Sequence, residues 1–290
     1  MRPVLENSKL SHRMWILYLV IFLVCTIGIG VAMYMQFFKD ENLGAVVGIT
    51  SQDSKDEEKY YMLQEEFNTI FTNDIENLQN EEINIQKLNN NFDLVVTAFH
   101  YEKNEENTKI NVNIPYLNIN NNAAKEFNQI IRGLYKEQSE TLMNQVSNIG
   151  IIYTVEYKAY IQNNILSLAI RCGFKEGNKS QKVVVQTFNY DLKQNREVAL
   201  EEILKIKNIT TEEANTRIKN KIKYIQEQNN ALVEALTEDQ KVSLYERDYN
   251  SEIYNISNSK QYLYGKDGLL YIIYAYGNDS DTNEMDIIIF

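Results

Sequence analysis

Histidine, cysteine and proline are nearly missing from this 290-residue sequence, which holds two of each. His12 lies near the N-terminus, so His100 stands alone in the rest of the chain. A zinc site needs several His, Cys or acidic ligands at close spacing, as in HExxH or paired CxxC, and neither pattern occurs. A Ser–His–Asp triad would have to use His100, and no serine sits in a GxSxG turn. Phosphate-cradling loops of the GxxxxGK[ST] or GxGxxG type are also missing. Cys25 falls in an apolar run, which leaves Cys172 without a partner for an intramolecular disulfide. Its place in the apolar stretch Ile165–Phe174 predicts a buried core thiol rather than a reactive one. No catalytic, cofactor-binding, metal-binding or other binding residue is assigned by motif.

Positive charge is in short supply as well. The net charge is −11. Arg2, Lys9 and Arg13 against Glu6 make the first residues basic, and from position 39 onward 26 basic and 39 acidic residues leave about −13. Such a body repels nucleic acid and anionic lipid surfaces, and would suit a cationic partner. Acidity is also the ordinary state of soluble domains. At 44% hydrophobic and 24% charged, the chain is globular in composition rather than disordered. Twenty tyrosines and abundant Ile, Asn and Lys read as a composition bias without a functional message.

One long hydrophobic run is present. Met14–Phe38 spans 25 residues without a formal charge, enough for a tilted helix across a bilayer. Trp15 and Tyr18 near one end, and Tyr34, Phe37 and Phe38 near the other, suit two interfacial belts. Basic residues precede the run and Lys39-Asp40-Glu41 follows it, so the N-terminus is expected in the cytoplasm and the remainder outside. A cleaved signal peptide ending near Gly30-Val31-Ala32 is the rival reading, but its apolar run would be too long. Gly28-Ile29-Gly30 would let helices approach closely, although the run itself holds no GxxxG. The 13-residue tail is far too short to fold by itself.

The expected organisation is a cytoplasmic tail over 1–13, a transmembrane helix over 14–38, a linker over 39–58, and two α+β modules over 59–175 and 176–290. Tyr60, Leu63, Phe67, Ile70, Phe71 and Leu78 recur at helical spacing and predict an amphipathic helix over 59–80. Residues 92–101 and 109–116 read as a hairpin, and Asn118–Asn122 offer N-caps for a helix beginning near Ala123. Residues 149–160, 164–174 and 182–191 read as a meander turned at Asn163-Asn164 and Gly177-Asn178. Helices over 198–207, from Thr210/Thr211 to about Glu234, and over 237–246 precede strands at 261–264, 269–276 and 284–290. This order predicts an α+β fold with antiparallel sheets and packed helices, preceded by one N-terminal transmembrane helix, and not alternating βαβ units.

Acidic groups are the remaining candidates for chemistry. Glu201-Glu202, Glu212-Glu213, and Asp279, Asp281, Glu284 and Asp286 are the groups singled out. The last set has oxygen ligands of the kind calcium takes but lacks EF-hand spacing, so a solvated turn into an edge strand is expected. Two carboxylates meeting in space for glycoside hydrolysis would leave no mark in sequence order. Four sequons, at Asn178, Asn208, Asn255 and Asn278, are ordinary for an Asn-rich chain.

Several short stretches carry a resemblance. They are Asn113-Ile114-Pro115 before a helix, Ile152-Tyr153 through Asn164-Ile165-Leu166-Ser167, Phe188-Asn189-Tyr190-Asp191-Leu192, Val198-Ala199-Leu200-Glu201-Glu202-Ile203-Leu204, and Glu284-Met285-Asp286. On these, residues 85–290 resemble a bacterial extracytoplasmic module pair found in RsiV-type lysozyme-sensing anti-sigma factors and in the non-catalytic part of PdaC-type peptidoglycan deacetylases. That family often carries a Gly-Gly-Ala-His-Gly-like turn, where this chain has Gly173-Phe174-Lys175-Glu176-Gly177-Asn178. The 13-residue tail supplies no sigma-binding segment, and the deacetylase domain is not represented. The resemblance therefore implies a fold and a place in the cell envelope. The expected function is a membrane-anchored, extracytoplasmic, non-catalytic binding or sensing module. It would be held in the lipid bilayer by residues 14–38 and would meet an envelope protein or cell-wall glycan. The alternative is an envelope-polymer enzyme using unrecognised carboxylates.

Overall fold

The computed structural model describes residues 66–79, 85–144, 149–179, 181–235, 245–275 and 285–290. The expected tail, membrane helix and linker lie outside these residues, as do most of the helix expected at 237–246 and Asp279, Asp281 and Glu284. No helix among the described residues is long and apolar enough to cross a membrane.

Seven strands build the larger sheet: β1 (Asp74–Asn77), β2 (Val95–Glu105), β3 (Thr108–Leu117), β4 (Ile151–Gln162), β5 (Ile165–Glu176), β6 (Lys182–Asp191) and β7 (Arg196–Glu197). The order is β2-β3-β4-β5-β6-β7. Antiparallel pairing dominates, and the meander β4–β5–β6 forms as its alternation predicts. Asn163 and Asn164 both take positive φ at the β4–β5 turn, the geometry that a tight two-residue hairpin asks of both central residues. The expected module boundary at 175/176 falls at the last residue of β5.

Two pairings are parallel. β3 runs beside residues 151–155 of β4, and β1 takes the same side of β4 farther along, at residues 158–161. The link from β3 to β4 is a helical crossover, as a parallel connection demands, so one βαβ unit sits inside the α+β fold. Its helix starts at α1 (Asn122–Ile131), passes through a π-helical turn (Arg132–Lys136) and continues as α2 (Glu137–Asn144). Asn121 caps it, its side chain accepting from Ala123 N at 2.8 Å.

The helix expected over 59–80 is corrected by the structure. Residues 66–69 make one helical turn, and residues 74–77 are strand β1. Between them Asn73 takes φ 60° and exchanges bonds with Tyr157: its N–H donates to Tyr157 O at 2.8 Å and its Oδ1 accepts from Tyr157 N at 3.0 Å. Phe67 and Phe71 are buried all the same, with Phe67 against Tyr271. Residues 59–65 lie outside the described residues; over 66–79 the apolar spacing is satisfied by a turn and a strand instead of a continuous helix.

A smaller antiparallel sheet, β10-β9-β8, is formed by β8 (Gln261–Tyr264), β9 (Leu270–Ala275) and β10 (Met285–Ile289). It packs with α3 (Leu200–Ile206), α4 (Thr211–Ala235) and two 3-10 turns at Glu252–Tyr254 and Ile256–Asn258. β8 is fastened to β6 by side chains rather than a ladder. Gln261 Oε1 accepts from Thr187 N at 2.7 Å, and Asn189 Nδ2 donates to Tyr262 O at 2.8 Å. All described residues fall in one compact unit with two apolar cores.

Candidate functional site

The groove between the β2–β3 hairpin and α1 is where chemistry and shape coincide. Its volume is about 370 Å³. Ala98 and Phe99 come from β2, Ile114, Pro115 and Tyr116 from β3, and Lys125, Asn128, Gln129 and Arg132 from the helix. The four helical residues stand at i, i+3, i+4 and i+7, which puts them on one face.

Two irregularities meet there. The β2–β3 register shifts between Thr97 and Phe99, so Ala98 is an extra residue in the strand. Across the groove, Arg132 opens the π-helical turn, and its N–H is shared between Asn128 O and Gln129 O. Bulges of both kinds gather at functional sites because each re-aims a side chain that regular geometry would point elsewhere. Asn128 holds the two walls together. Its Oδ1 accepts from Leu117 N at 2.8 Å and its Nδ2 donates to Leu117 O at 2.9 Å, so the amide acts as a rung beside the end of β3.

The charges around the groove sort by partner. Lys136 pairs with Glu140 at 2.7 Å and lies over the Phe99 ring at 5.3 Å. Glu140 also accepts from Tyr101 OH at 3.2 Å. The Lys136 hydrogen bond, followed by that from Tyr101, holds the Glu140 carboxyl below its usual range in spite of some desolvation. Burial and the Glu140 bond raise the Tyr101 hydroxyl. Lys125 and Arg132 are exposed, and among the described residues neither forms an ion pair. The groove thus sets an apolar, aromatic floor beside two exposed cations, of which Arg132 also helps to hold the Glu140 carboxyl down.

The residues singled out from sequence lie elsewhere. His100 is exposed on β2, its Nδ1 2.9 Å from Asn113 Oδ1 and its Nε2 3.9 Å from Glu102. Cys172 is buried, as expected, and burial pushes its thiol up to about 11 although Tyr153 hydrogen-bonds to it. The neighbouring Tyr135 hydroxyl is buried without a partner. Glu201-Glu202 and Glu212-Glu213 occupy the first turns of α3 and α4, where negative charge suits the helix dipole. Glu202 is drawn down to about 2, first by its hydrogen bond from Arg196 at 2.8 Å and then by Ala199 N. Asn208 and Asn255, two of the sequon residues, serve turns: Asn208 takes φ 56° and Asn255 accepts from Ser257 N.

Asp286 is corrected most sharply. A solvated acidic turn was expected, yet Asp286 is 3% exposed and both its oxygens accept from Arg247 Nε at 2.9 Å. Tyr254 OH donates to it at 3.1 Å. Among the described residues no cluster of three or more His, Cys, Asp or Glu is arranged to hold a metal ion. The groove residues Lys125, Asn128, Gln129 and Arg132 were legible only as polar positions of a helix; nothing in their spacing told which wall they would meet.

No known protein family matches this sequence, and no curated protein matches it. Among solved structures, the chain is similar to the crystal structure of a DUF3298 family protein from Pseudomonas aeruginosa PAO1. The identity is 10% and the TM-score 0.31, over 64% of this chain and 83% of that one. At that score the likeness carries no argument about mechanism, and the reading of function rests on the groove.

Proposed function

We propose that this chain is a membrane-anchored, non-catalytic binding module of the bacterial envelope, with its folded part outside the cytoplasm. The observation that carries the reading is the groove between β2–β3 and α1, an aromatic floor rimmed by Lys125 and Arg132, which form no ion pair among the described residues. It is built for capture rather than proton transfer. Its lining holds no carboxylate, histidine or thiol, and its ionisable side chains are Lys125, Arg132 and Tyr116, of which the two cations suit the holding of an anion. The apolar run Met14–Phe38 and the basic residues before it support anchoring and orientation. The resemblance of residues 85–290 to extracytoplasmic modules supports the same compartment. The whole domain is acidic, but the groove is locally cationic, so the ligand it suits is an anionic group on an envelope protein or cell-wall glycan.

The test uses the full chain in detergent micelles, immobilised and exposed to envelope extract, beside a Lys125→Glu/Arg132→Glu variant. The expected result is a saturable ligand retained by the native chain and lost by the variant. Equal retention would remove the groove from consideration. Protease treatment of intact cells carrying a C-terminally tagged chain checks the orientation, and a tag protected from protease would overturn outward placement.

A further inference from the structure

The groove does not stand alone; it opens beside a sheet edge that no strand among the described residues covers. β2 is the terminal strand of the large sheet and pairs with β3 on one side. Among the described residues no strand pairs with its other side, along the eleven residues Val95–Glu105. An edge of this length displays unpaired N–H and C=O groups at the β repeat of about 3.3 Å per residue. A glycan or a lipid headgroup has no matching series of donors and acceptors, whereas an extended peptide has one.

The edge is not uniform. Its far half carries His100, Glu102, Lys103 and Glu105, charged or ionisable side chains of the kind that discourage edge-to-edge pairing. The half beside the groove, Val95–Phe99, is free of charge. The bulge at Ala98 breaks the regular ladder there, which blocks indiscriminate strand addition and leaves selection to the groove wall. That wall supplies Lys125 and Arg132, two cations facing outward from a chain of net charge −11. In so acidic a molecule, a cationic rim beside an uncharged strand edge selects for negative charge on the incoming chain.

We infer that the ligand of the groove is an extended, acidic peptide segment of another protein, added as a strand along the outer edge of β2. One apolar side chain enters the floor formed by Phe99, Ile114, Pro115 and Tyr116, and a carboxylate, either side-chain or C-terminal, meets Lys125 and Arg132. The inference rests on the binding-module reading and narrows its ligand to a polypeptide.

The experiment is a selection of a random octapeptide library on the full chain in detergent micelles, run in parallel on Lys125→Glu/Arg132→Glu. The native chain is expected to enrich peptides pairing an acidic residue with an apolar one, and the variant to lose them. The best peptide, measured by fluorescence anisotropy, should bind each single reversal about tenfold more weakly or worse. The same peptide N-methylated at alternate amides should lose binding as well, because strand addition needs those N–H groups. Circular dichroism of the variants confirms that they remain folded. No enrichment over the variant overturns the inference, as does binding of anionic phospholipid vesicles in place of any peptide. If the N-methylated peptide binds as tightly as its parent, strand addition is wrong while the binding module stands.

Discussion

The two cores of this molecule treat charge differently. The core between the large sheet and α1–α2 is closed mostly by long strands and helix and buries Leu117, Leu166, Leu168, Ile170 and Tyr190; the buried Lys158 of β4 finds its carboxylate, Asp74 at 2.8 Å, out at the exposed surface. The core between the small sheet and α3–α4 is closed partly by an irregular segment, residues 245–260, that contains two 3-10 turns. There a buried ion pair ties the segment down. Arg247 reaches Asp286 on β10, its N–H donates to Gln226 of α4 at 2.7 Å, and its Nη1 to Tyr245 O at 3.3 Å. A helix or strand satisfies its own backbone, but an irregular cover does not, so the core beneath it must contain polar partners. The first core should therefore respond to changes in volume, and the second to the loss of a single charge.

Breaking the second core gives the largest expected effect. Asp286→Ala leaves Arg247 buried without its carboxylate and should cost about 3–5 kcal/mol in urea denaturation, whereas Arg247→Met together with Asp286→Leu should recover most of it. A single-mutant loss below about 1 kcal/mol would mean that the pair does not hold this core. In the first core, Leu168→Ala removes a fully buried side chain and should cost about 3 kcal/mol by leaving a cavity.

The Cys172 thiol sharpens the comparison by pH. Its value moves from 9.0 to about 11 on folding, so the folded chain keeps the proton to higher pH than the unfolded chain. Its contribution is whole below pH 9 and falls by about 2–3 kcal/mol as pH rises to 11. Cys172→Val should lack that share of the alkaline slope, measured against the native chain from pH 8 to 11. The smallest effect belongs to the surface. Glu202 is lowered on folding from 4.5 to about 2, so its contribution is present above pH 4.5 and lost as pH falls toward 2. Because the pair with Arg196 is more than a third exposed, screening should hold Glu202→Gln to under about 1 kcal/mol, read from acid titrations of stability.

Much of the element order was legible. Thr210 caps α4 by accepting from Glu213 N at 3.1 Å, at the place where Thr-Thr-Glu-Glu predicted a start. The meander turns fell at Asn163-Asn164 and Gly177, because positive φ is a property that these residue types carry with them. Residues 74–77 were misread because a period of three to four does not distinguish a helix from a turn followed by a strand when partners supply the burial. The asparagine abundance, taken as compositional bias, includes working parts. Asn118 is 2% exposed, with its Nδ2 donating to Asn89 O, Phe92 O and Asp93 O. Asn128 and Asn189 each bridge two elements.

Periodicity, capping and turn preference act over two to four residues, and these alone determined most strands and helices, the buried thiol, and the want of any catalytic motif. Partners far apart in the chain were decided only by the tertiary structure. Asp286 meets Arg247 across 39 positions and Lys158 meets Asp74 across 84. The groove needs a bulge at Ala98 and a π-helical turn from Arg132 to be brought face to face by the β3–β4 crossover. Burial of a charge and the walls of a groove are properties of packing, and packing joins residues that no local pattern connects.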